Sequence, residues 1–196
     1  MPQLEVAASY GSALLDWLET YTFAAKLRYA DPAVCEAGSA RLLDALLAHG
    51  TTAAVVFPTV HKAAADALFA AAEQRGMRLI ASKCLMDRHA PAGLTDSVAS
   101  AERDTVEPVE RWRGRARLAY AHTARFAPTS SDAQLALAGR LLGREGAQIA
   151  HCPISNLFLG SGLADWRGLE AACALGLEPE IGSLDVGRMA DLALWH

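Results

Sequence analysis

Two hydrophobic patterns alternate along the middle of the chain. Short apolar runs rich in β-branched residues are typical of strands buried on both faces, whereas apolar positions three or four residues apart are typical of amphipathic helices. Together they predict parallel strands near residues 52–57, 78–85, 117–123 and 147–151, each followed by a helix. Such alternation predicts an α/β fold, with a parallel sheet covered by helices.

The ends of several helices are marked by residues with a capping role. A further helix is predicted from Asp31 to His49, with Pro32 at its first position and Gly50 just after its end. Gly76 predicts the end of the helix that follows the first strand. These residues therefore predict where the helices begin and end.

The helix after the third strand has the pattern of a capping box, with Ser131 followed three residues later by Gln134. The last twenty residues differ, because glycines separate short strand-like pieces. We therefore predict a barrel-type unit over residues 1–176 and a small β segment over 177–196. A closed eight-stranded barrel needs about 250 residues, so 196 residues predict either an open sheet or an incomplete barrel.

Composition excludes several classes of partner. The chain has 52% hydrophobic and 20% charged residues and a net charge of -4, without a basic cluster that would predict nucleic-acid binding. No apolar stretch has the length of a membrane span, and the first residues lack a signal-peptide pattern. The four cysteines are widely spaced, which favours reduced thiols and a cytoplasmic location.

The candidate chemistry follows the predicted strands, because parallel α/β folds carry their sites at the carboxyl ends of strands. His61, His122 and His151 are either metal ligands or histidines bonded to nearby backbone, and we favour the second interpretation. Arg125 beside Phe126 suits a flat heterocycle rich in acceptors. The alternative is a surface arginine next to a core phenylalanine, and this dipeptide alone favours that alternative.

Longer sequence motifs resemble those of guanine deaminases, which are members of the amidohydrolase superfamily. They cover most of the chain: Asp16–Phe23, His49–Ala53, Leu85–Pro91, Thr123–Thr129, Ala150–Gly162 and Ile181–Leu192. The family usually has asparagine where His89 stands and proline where Ala124 stands. The resemblance implies an incomplete TIM barrel of the amidohydrolase type with a short C-terminal β remnant.

The resemblance also implies a chemistry. Guanine deaminases hydrolyse guanine to xanthine and ammonia in purine catabolism, with a zinc-bound hydroxide as nucleophile. The family residues that hold the purine fall on Gln3, Arg125 and Phe126. The ligands expected for zinc are an H-x-H pair on strand one, histidines from strands five and six and an aspartate from strand eight. No position of this sequence matches them.

We therefore predict three substrate-binding residues, but no catalytic residue and no zinc bound to this chain. Two functions stay open: a zinc-dependent guanine deaminase, or a catalytically inactive remnant that acts as a purine-binding or interaction module. The expected ligand is a small purine, and neither nucleic acid nor membrane is expected as a partner. Because an unclosed barrel leaves sheet edges unpaired, self-association or a homo-oligomer is also predicted.

Overall fold

A computed structural model of the chain describes residues 1–6, 9, 14–124, 129–145 and 148–149. Its centre is a sheet in which every strand pairing is parallel. The strands are β1 (Ala53–Val56), β2 (Arg78–Ala81), β3 (Cys84–Leu85), β4 (Leu118–Ala124) and β5 (Gln148–Ile149). The first three predicted strand regions are confirmed, and the fourth is confirmed at Gln148–Ile149, whereas the helix predicted to follow it lies outside the described residues.

The strand β4 is the centre of this sheet. The order is β1-β2-β4-β3, and β5 also pairs with β4. The strands β2 and β3 are two pieces of one predicted strand, and they are separated by Ser82 and Lys83. Because Leu79–Ala81 pair with the first half of β4 and β3 pairs with its end, both pieces run along the same neighbour.

The helices that cover the sheet begin and end close to the predicted residues. They are α3 (Pro32–Ala48), α4 (Lys62–Gln74), α5 (Val98–Trp112) and α6 (Asp132–Glu145). The Asp31 carboxylate accepts a hydrogen bond from the Ala33 amide at 2.9 Å, which confirms the predicted cap. Gly50 and Gly76, just past α3 and α4, have φ angles of 74° and 62° and confirm the predicted stops.

The start of the chain was not predicted as helical, and here the structure differs from the pattern. Residues 14–30 form a helical path made of α1 (Leu14–Trp17), a π-helical turn (Leu18–Phe23), α2 (Ala24–Leu27) and a 3-10 turn (Arg28–Ala30). The segment contains Thr20, Tyr21 and Thr22, residue types with a higher propensity for strands than for helices. Burial of Leu18, Thr22 and Phe23 overrides that local propensity.

The main core lies between the sheet and its helices. Phe69 of α4 stacks between Trp112 and Tyr120, with ring centroids 5.7 and 5.8 Å apart. A second cluster joins Leu18, Phe23 and Leu94 on the side where the strands end. No helix among the described residues is long and apolar enough to cross a membrane. The predicted C-terminal β segment, residues 177–196, lies outside the described residues.

Candidate functional site at the carboxyl edge of the sheet

The carboxyl edge of the sheet begins at Thr59, which follows β1 and is buried. Its hydroxyl accepts a hydrogen bond from the His61 amide at 3.1 Å, and its carbonyl accepts one from the Cys84 amide at 3.0 Å. His61 directly precedes α4, as expected for a histidine at a helix start. Burial, and then the nearby Lys83 ammonium, lower the pKa of His61 below its ordinary value. This imidazole is therefore biased toward its neutral form.

The most deeply buried charge at this edge is Lys83, whose side chain is 1% exposed. It lies between β2 and β3, and its ammonium forms an ion pair with Asp96. The amide of Lys83 also donates to the Tyr120 hydroxyl at 3.1 Å. Burial raises the pKa of Asp96 above its ordinary value, although the Lys83 ammonium acts in the opposite direction. Lys83 thus links the sheet to the loop that contains Asp96.

This loop, Met86–Asp96, follows β3 and returns to its own start. The Asp96 amide donates to the Met86 carbonyl at 2.8 Å, and Leu94 is fully buried. Near the start of the loop, the Asp87 carboxylate accepts a hydrogen bond from the Ser131 amide at 2.8 Å and another from the Ser131 hydroxyl. The loop is therefore held both to the sheet and to the start of α6.

The end of β4 contributes two buried polar side chains, His122 and Thr123. The Ser82 hydroxyl donates to the Thr123 hydroxyl at 2.6 Å. His122 is 1% exposed, and its ring meets the Tyr120 ring edge-on at 5.7 Å between centroids. His122 pairs in register with Ile149 of β5. The chain leaves β5 at this same edge, but His151 lies outside the described residues.

The three residues predicted to bind purine are not all described. Gln3 lies in a 3-10 turn, Pro2–Val6, with an exposed side chain, whereas Pro2 beside it is buried. Arg125 and Phe126 lie outside the described residues, between the end of β4 and Thr129. Their grouping with Gln3 therefore stays a prediction.

An open cleft of about 430 Å³ lies next to the Met86–Asp96 loop. Phe23, Leu27 and Pro91 supply its apolar wall, and Glu19 and His89 supply polar groups. Gln3 is not among the described residues that line it.

Of the histidines considered as metal ligands, His61 and His122 lie among the described residues and His151 does not. Among the described residues, no three histidine, cysteine or acidic side chains are grouped closely enough to hold a metal ion. Asp87 directs both carboxylate oxygens to Ser131, and His61 lies near the cationic Lys83, which would oppose a bound cation. The described residues therefore do not fit the zinc centre that the resemblance implies.

Sequence reasoning missed the Lys83–Asp96 pair. A signal was present, because Ser82 and Lys83 interrupt the apolar run from Leu79 to Met86 in a region predicted to be a strand. A charge inside such a strand needs a buried partner. The pattern could not identify Asp96 as that partner, since it is thirteen residues away in a loop.

Comparison with known proteins assigns this arrangement to a family. The amidohydrolase family matches residues 4–150. Guanine deaminase from Escherichia coli K12 is 48% identical over 140 residues, which are 71% of this chain and 32% of that protein. The chain therefore spans about a third of the length of this relative.

Two solved structures share the fold. Guanine deaminase from Bradyrhizobium japonicum superimposes with a TM-score of 0.74 at 34% identity, over 76% of this chain and 32% of the other. Guanine deaminase from C. acetobutylicum, solved with guanine in its active site, gives a TM-score of 0.68 at 26% identity, over 70% and 33%. Each match covers about a third of the other chain, so both relatives extend well beyond the part that this chain matches. The chain belongs to the amidohydrolase family, and the relatives that it resembles are guanine deaminases.

Proposed function

We propose that this chain carries the purine-recognition part of a guanine deaminase and that Gln3, Arg125 and Phe126 contact guanine. The observation that supports this most is the position of Arg125 and Phe126 in the sequence. They follow directly after β4, the central strand, within the region that matches guanine deaminases. Parallel α/β enzymes bind their substrates at this edge.

The side-chain chemistry fits guanine better than adenine. A guanidinium offers a planar set of donors that matches the carbonyl and ring nitrogen of guanine. The same donors would face the amino group of adenine, which is itself a donor, and leave buried polar groups unpaired. The Phe126 ring offers a stacking surface, and the Gln3 amide adds a donor and an acceptor.

The whole reaction, hydrolysis of guanine to xanthine and ammonia in cytoplasmic purine catabolism, is proposed for the complete protein. Zinc would supply the activated water in that reaction. Since the described residues provide no matching ligand set, we assign recognition to this chain and no catalytic step. A purine-binding module without activity is the alternative.

Calorimetry with guanine and adenine tests the recognition proposal. We expect weak binding of guanine, weaker binding of adenine, and loss of guanine binding in Arg125→Ala. The matched control is Arg103→Ala, because Arg103 is an exposed arginine on α5 that pairs with its neighbour Asp104. Equal binding of the two purines, or an Arg125→Ala variant that binds guanine like the wild type, would contradict the proposal.

A second proposal concerns assembly. Among the described strands, β1 pairs only with β2, and Val55 of β1 is 47% exposed. An apolar strand edge invites pairing with another chain. We propose self-association through this edge.

Light scattering should detect species larger than a monomer, and Val55→Lys should shift them toward the monomer. Leu135→Lys is the control, because Leu135 is exposed on α6 and away from β1. A wild-type chain that stays monomeric at high concentration would refute the proposal.

A further inference from the structure

The open cleft of about 430 Å³ next to the Met86–Asp96 loop has the size of a small-molecule pocket. One of its walls comes from the helical path of residues 14–30, through Phe23 and Leu27. The other comes from Ala90 and Pro91 of the loop. Because the two walls lie far apart in sequence, the cleft exists only in the folded chain.

The two walls pack directly against each other beside the cleft. A Cβ atom added at Gly93 of the loop would lie 2.7 Å from Cδ2 of Leu27, so the loop backbone is already in close contact with that side chain. The loop is also closed on itself, since the Asp96 amide donates to the Met86 carbonyl at 2.8 Å. A ligand would therefore meet preformed walls, and ordering them on binding would cost little.

Two uncommon backbone features lie at this cleft. Glu19 and Phe23 belong to the π-helical turn Leu18–Phe23, and His89 on the opposite side has a left-handed φ of 52°. π-helical turns recur at functional sites, and non-glycine residues with left-handed backbone recur at sites that clamp ligands. Both features place side chains on the same cleft.

The polar groups of the cleft are available to a ligand. Glu19 and His89 are exposed, and neither forms a hydrogen bond or an ion pair with another described residue. Two carboxylates of the neighbouring loop are already occupied, because Asp87 binds Ser131 and Asp96 pairs with Lys83. Apart from the His89 imidazole, Glu19 is the only acidic or basic side chain among the described residues that line the cleft.

We propose that this cleft binds a small organic cation, with an ammonium group paired to Glu19 and an apolar body packed between Phe23, Leu27 and Pro91. The apolar side chains would remove that body from water, while the carboxylate selects its charge. The net charge of -4 favours the approach of a cation. The proposal does not rest on the proposed function, because the family resemblance assigns no purine contact to the residues that carry it.

A pair of probes with nearly the same shape tests the charge selection. The probes are phenethylammonium and the neutral phenethyl alcohol, titrated into the full chain while amide NMR shifts are recorded. We expect saturable shifts over residues 19–27 and 89–90 and none over α6. The ammonium should bind about threefold more tightly than the alcohol, as an exposed ion pair allows. Equal affinity for the two probes, or no saturable shift with either, would overturn the proposal.

Three variants assign the two parts of the recognition. Glu19→Gln should weaken binding of the ammonium about threefold and leave binding of the alcohol unchanged. Leu27→Ala should weaken binding of both probes, because it removes part of the apolar wall. The control is Glu36→Gln on α3, which removes an exposed carboxylate at a distance from the cleft lining and should change neither affinity. If Glu19→Gln binds the ammonium like the wild type, the proposal is wrong.

Competition with guanine separates this cleft from the purine site. Guanine is uncharged near neutral pH, so we expect it to leave the ammonium-induced shifts unaffected. Displacement of phenethylammonium by guanine would overturn the proposal, because the cleft would then belong to the purine site. If the chain binds phenethylammonium with the expected response to Glu19→Gln but binds no guanine, the proposed function fails and the cation site stands.

Discussion

The amino and carboxyl edges of the sheet are built in different ways. At the amino edge, α4 ends in a turn made of local backbone bonds, in which the Gly76 amide donates to Glu73 and the Met77 amide donates to Ala72, both at 3.0 Å. The positive φ of Gly76 allows this Schellman arrangement. The end of α3 repeats it at Gly50. This edge reverses the chain with residues that are neighbours in sequence.

At the carboxyl edge, side chains distant in sequence hold the loops. Asp87 binds Ser131 forty-four positions later, and Ser82 binds Thr123 forty-one positions later. Long-range bonds also occur at the amino edge, where the Arg117 guanidinium donates to the Gly76 carbonyl at 3.1 Å and the Arg75 guanidinium donates to Asp44 at 2.8 Å, but those bonds are exposed to solvent. The two carboxyl-edge bonds are buried or partly buried, so they are the ones that competition from water weakens least.

The largest expected effect is an absence of catalysis. Among the described residues of this edge, the carboxylate of Asp87 is bonded to Ser131 and that of Asp96 is paired with Lys83, and a catalytic zinc site needs about three protein ligands with an open position for water. We therefore expect the purified chain to bind no stoichiometric zinc and to deaminate guanine no faster than background. Metal analysis and a xanthine assay check this. One zinc per chain with chelator-sensitive turnover would contradict it and would make His122 and His151 the first residues to mutate.

The next largest effect should come from the buried ion pair. Lys83→Met leaves Asp96, whose side chain is 12% exposed, without its cation, so we expect the free energy of unfolding to fall by about 3–5 kcal/mol. Lys62→Met is the control, because Lys62 pairs with the exposed Glu107 and should change stability far less. Urea unfolding measures both variants. Equal losses would mean that the carboxyl edge has no special dependence on Lys83.

A double variant sharpens this prediction. Lys83→Met combined with Asp96→Leu removes both charges, so much of the lost stability should return. A double variant that is no more stable than Lys83→Met would show that packing, and not an unpaired charge, causes the loss.

The same contrast explains what could be predicted from sequence. The four strand regions, the helix bounds and the stops at Gly50 and Gly76 follow from local periodicity and backbone preference. Residues 14–30 do not, because Thr20 and Tyr21 disfavour a helix and only burial of their neighbours decides the outcome.

The candidate site was less predictable for a related reason. The location at the carboxyl edge follows from the parallel topology. The partners of Asp87 and Lys83 do not, because a carboxylate or an ammonium can pair with many distant groups. The predicted capping box is confirmed on one side only: Ser131 caps the Gln134 amide, while the Gln134 side chain is buried without a hydrogen bond to the other described residues.

A smaller effect is expected in the dependence of stability on pH. The pKa of folded His61 lies below its ordinary value of 6.5 because of burial and Lys83. The unfolded chain therefore takes up the proton first, so His61 adds stability above about pH 6.5 that is lost as the pH falls toward its folded pKa. His61→Gln should flatten the fall in urea midpoint between about pH 7 and 5.

Other groups face this imidazole, and they remain in the variant. Asp96 and the backbone of Lys26 raise the pKa of His61, which limits its shift. The pKa of Asp96 is itself raised, so its ionisation changes stability in the opposite sense. His49→Gln, which replaces an exposed histidine at the end of α3, is the control for the loss of an imidazole. If His61→Gln leaves the dependence of the urea midpoint on pH unchanged, protonation of His61 does not affect the stability of the fold.

The smallest effects concern two residues with left-handed backbone, one at each edge. Ala116, before β4, has a φ of 50°, and His89, in the Met86–Asp96 loop, has a φ of 52°. Alanine is strained there, whereas histidine and asparagine tolerate this region better.

Ala116→Gly should therefore raise the free energy of unfolding by about 0.5 kcal/mol, even after the greater freedom of glycine in the unfolded chain. His89→Asn, the residue usual in guanine deaminases, should raise it by a few tenths at most, roughly within the range of surface changes. Ala136→Gly, on the exposed face of α6, is the opposite control and should cost about 1 kcal/mol. If Ala116→Gly loses as much stability as Ala136→Gly, backbone strain does not distinguish the amino edge from an ordinary helix.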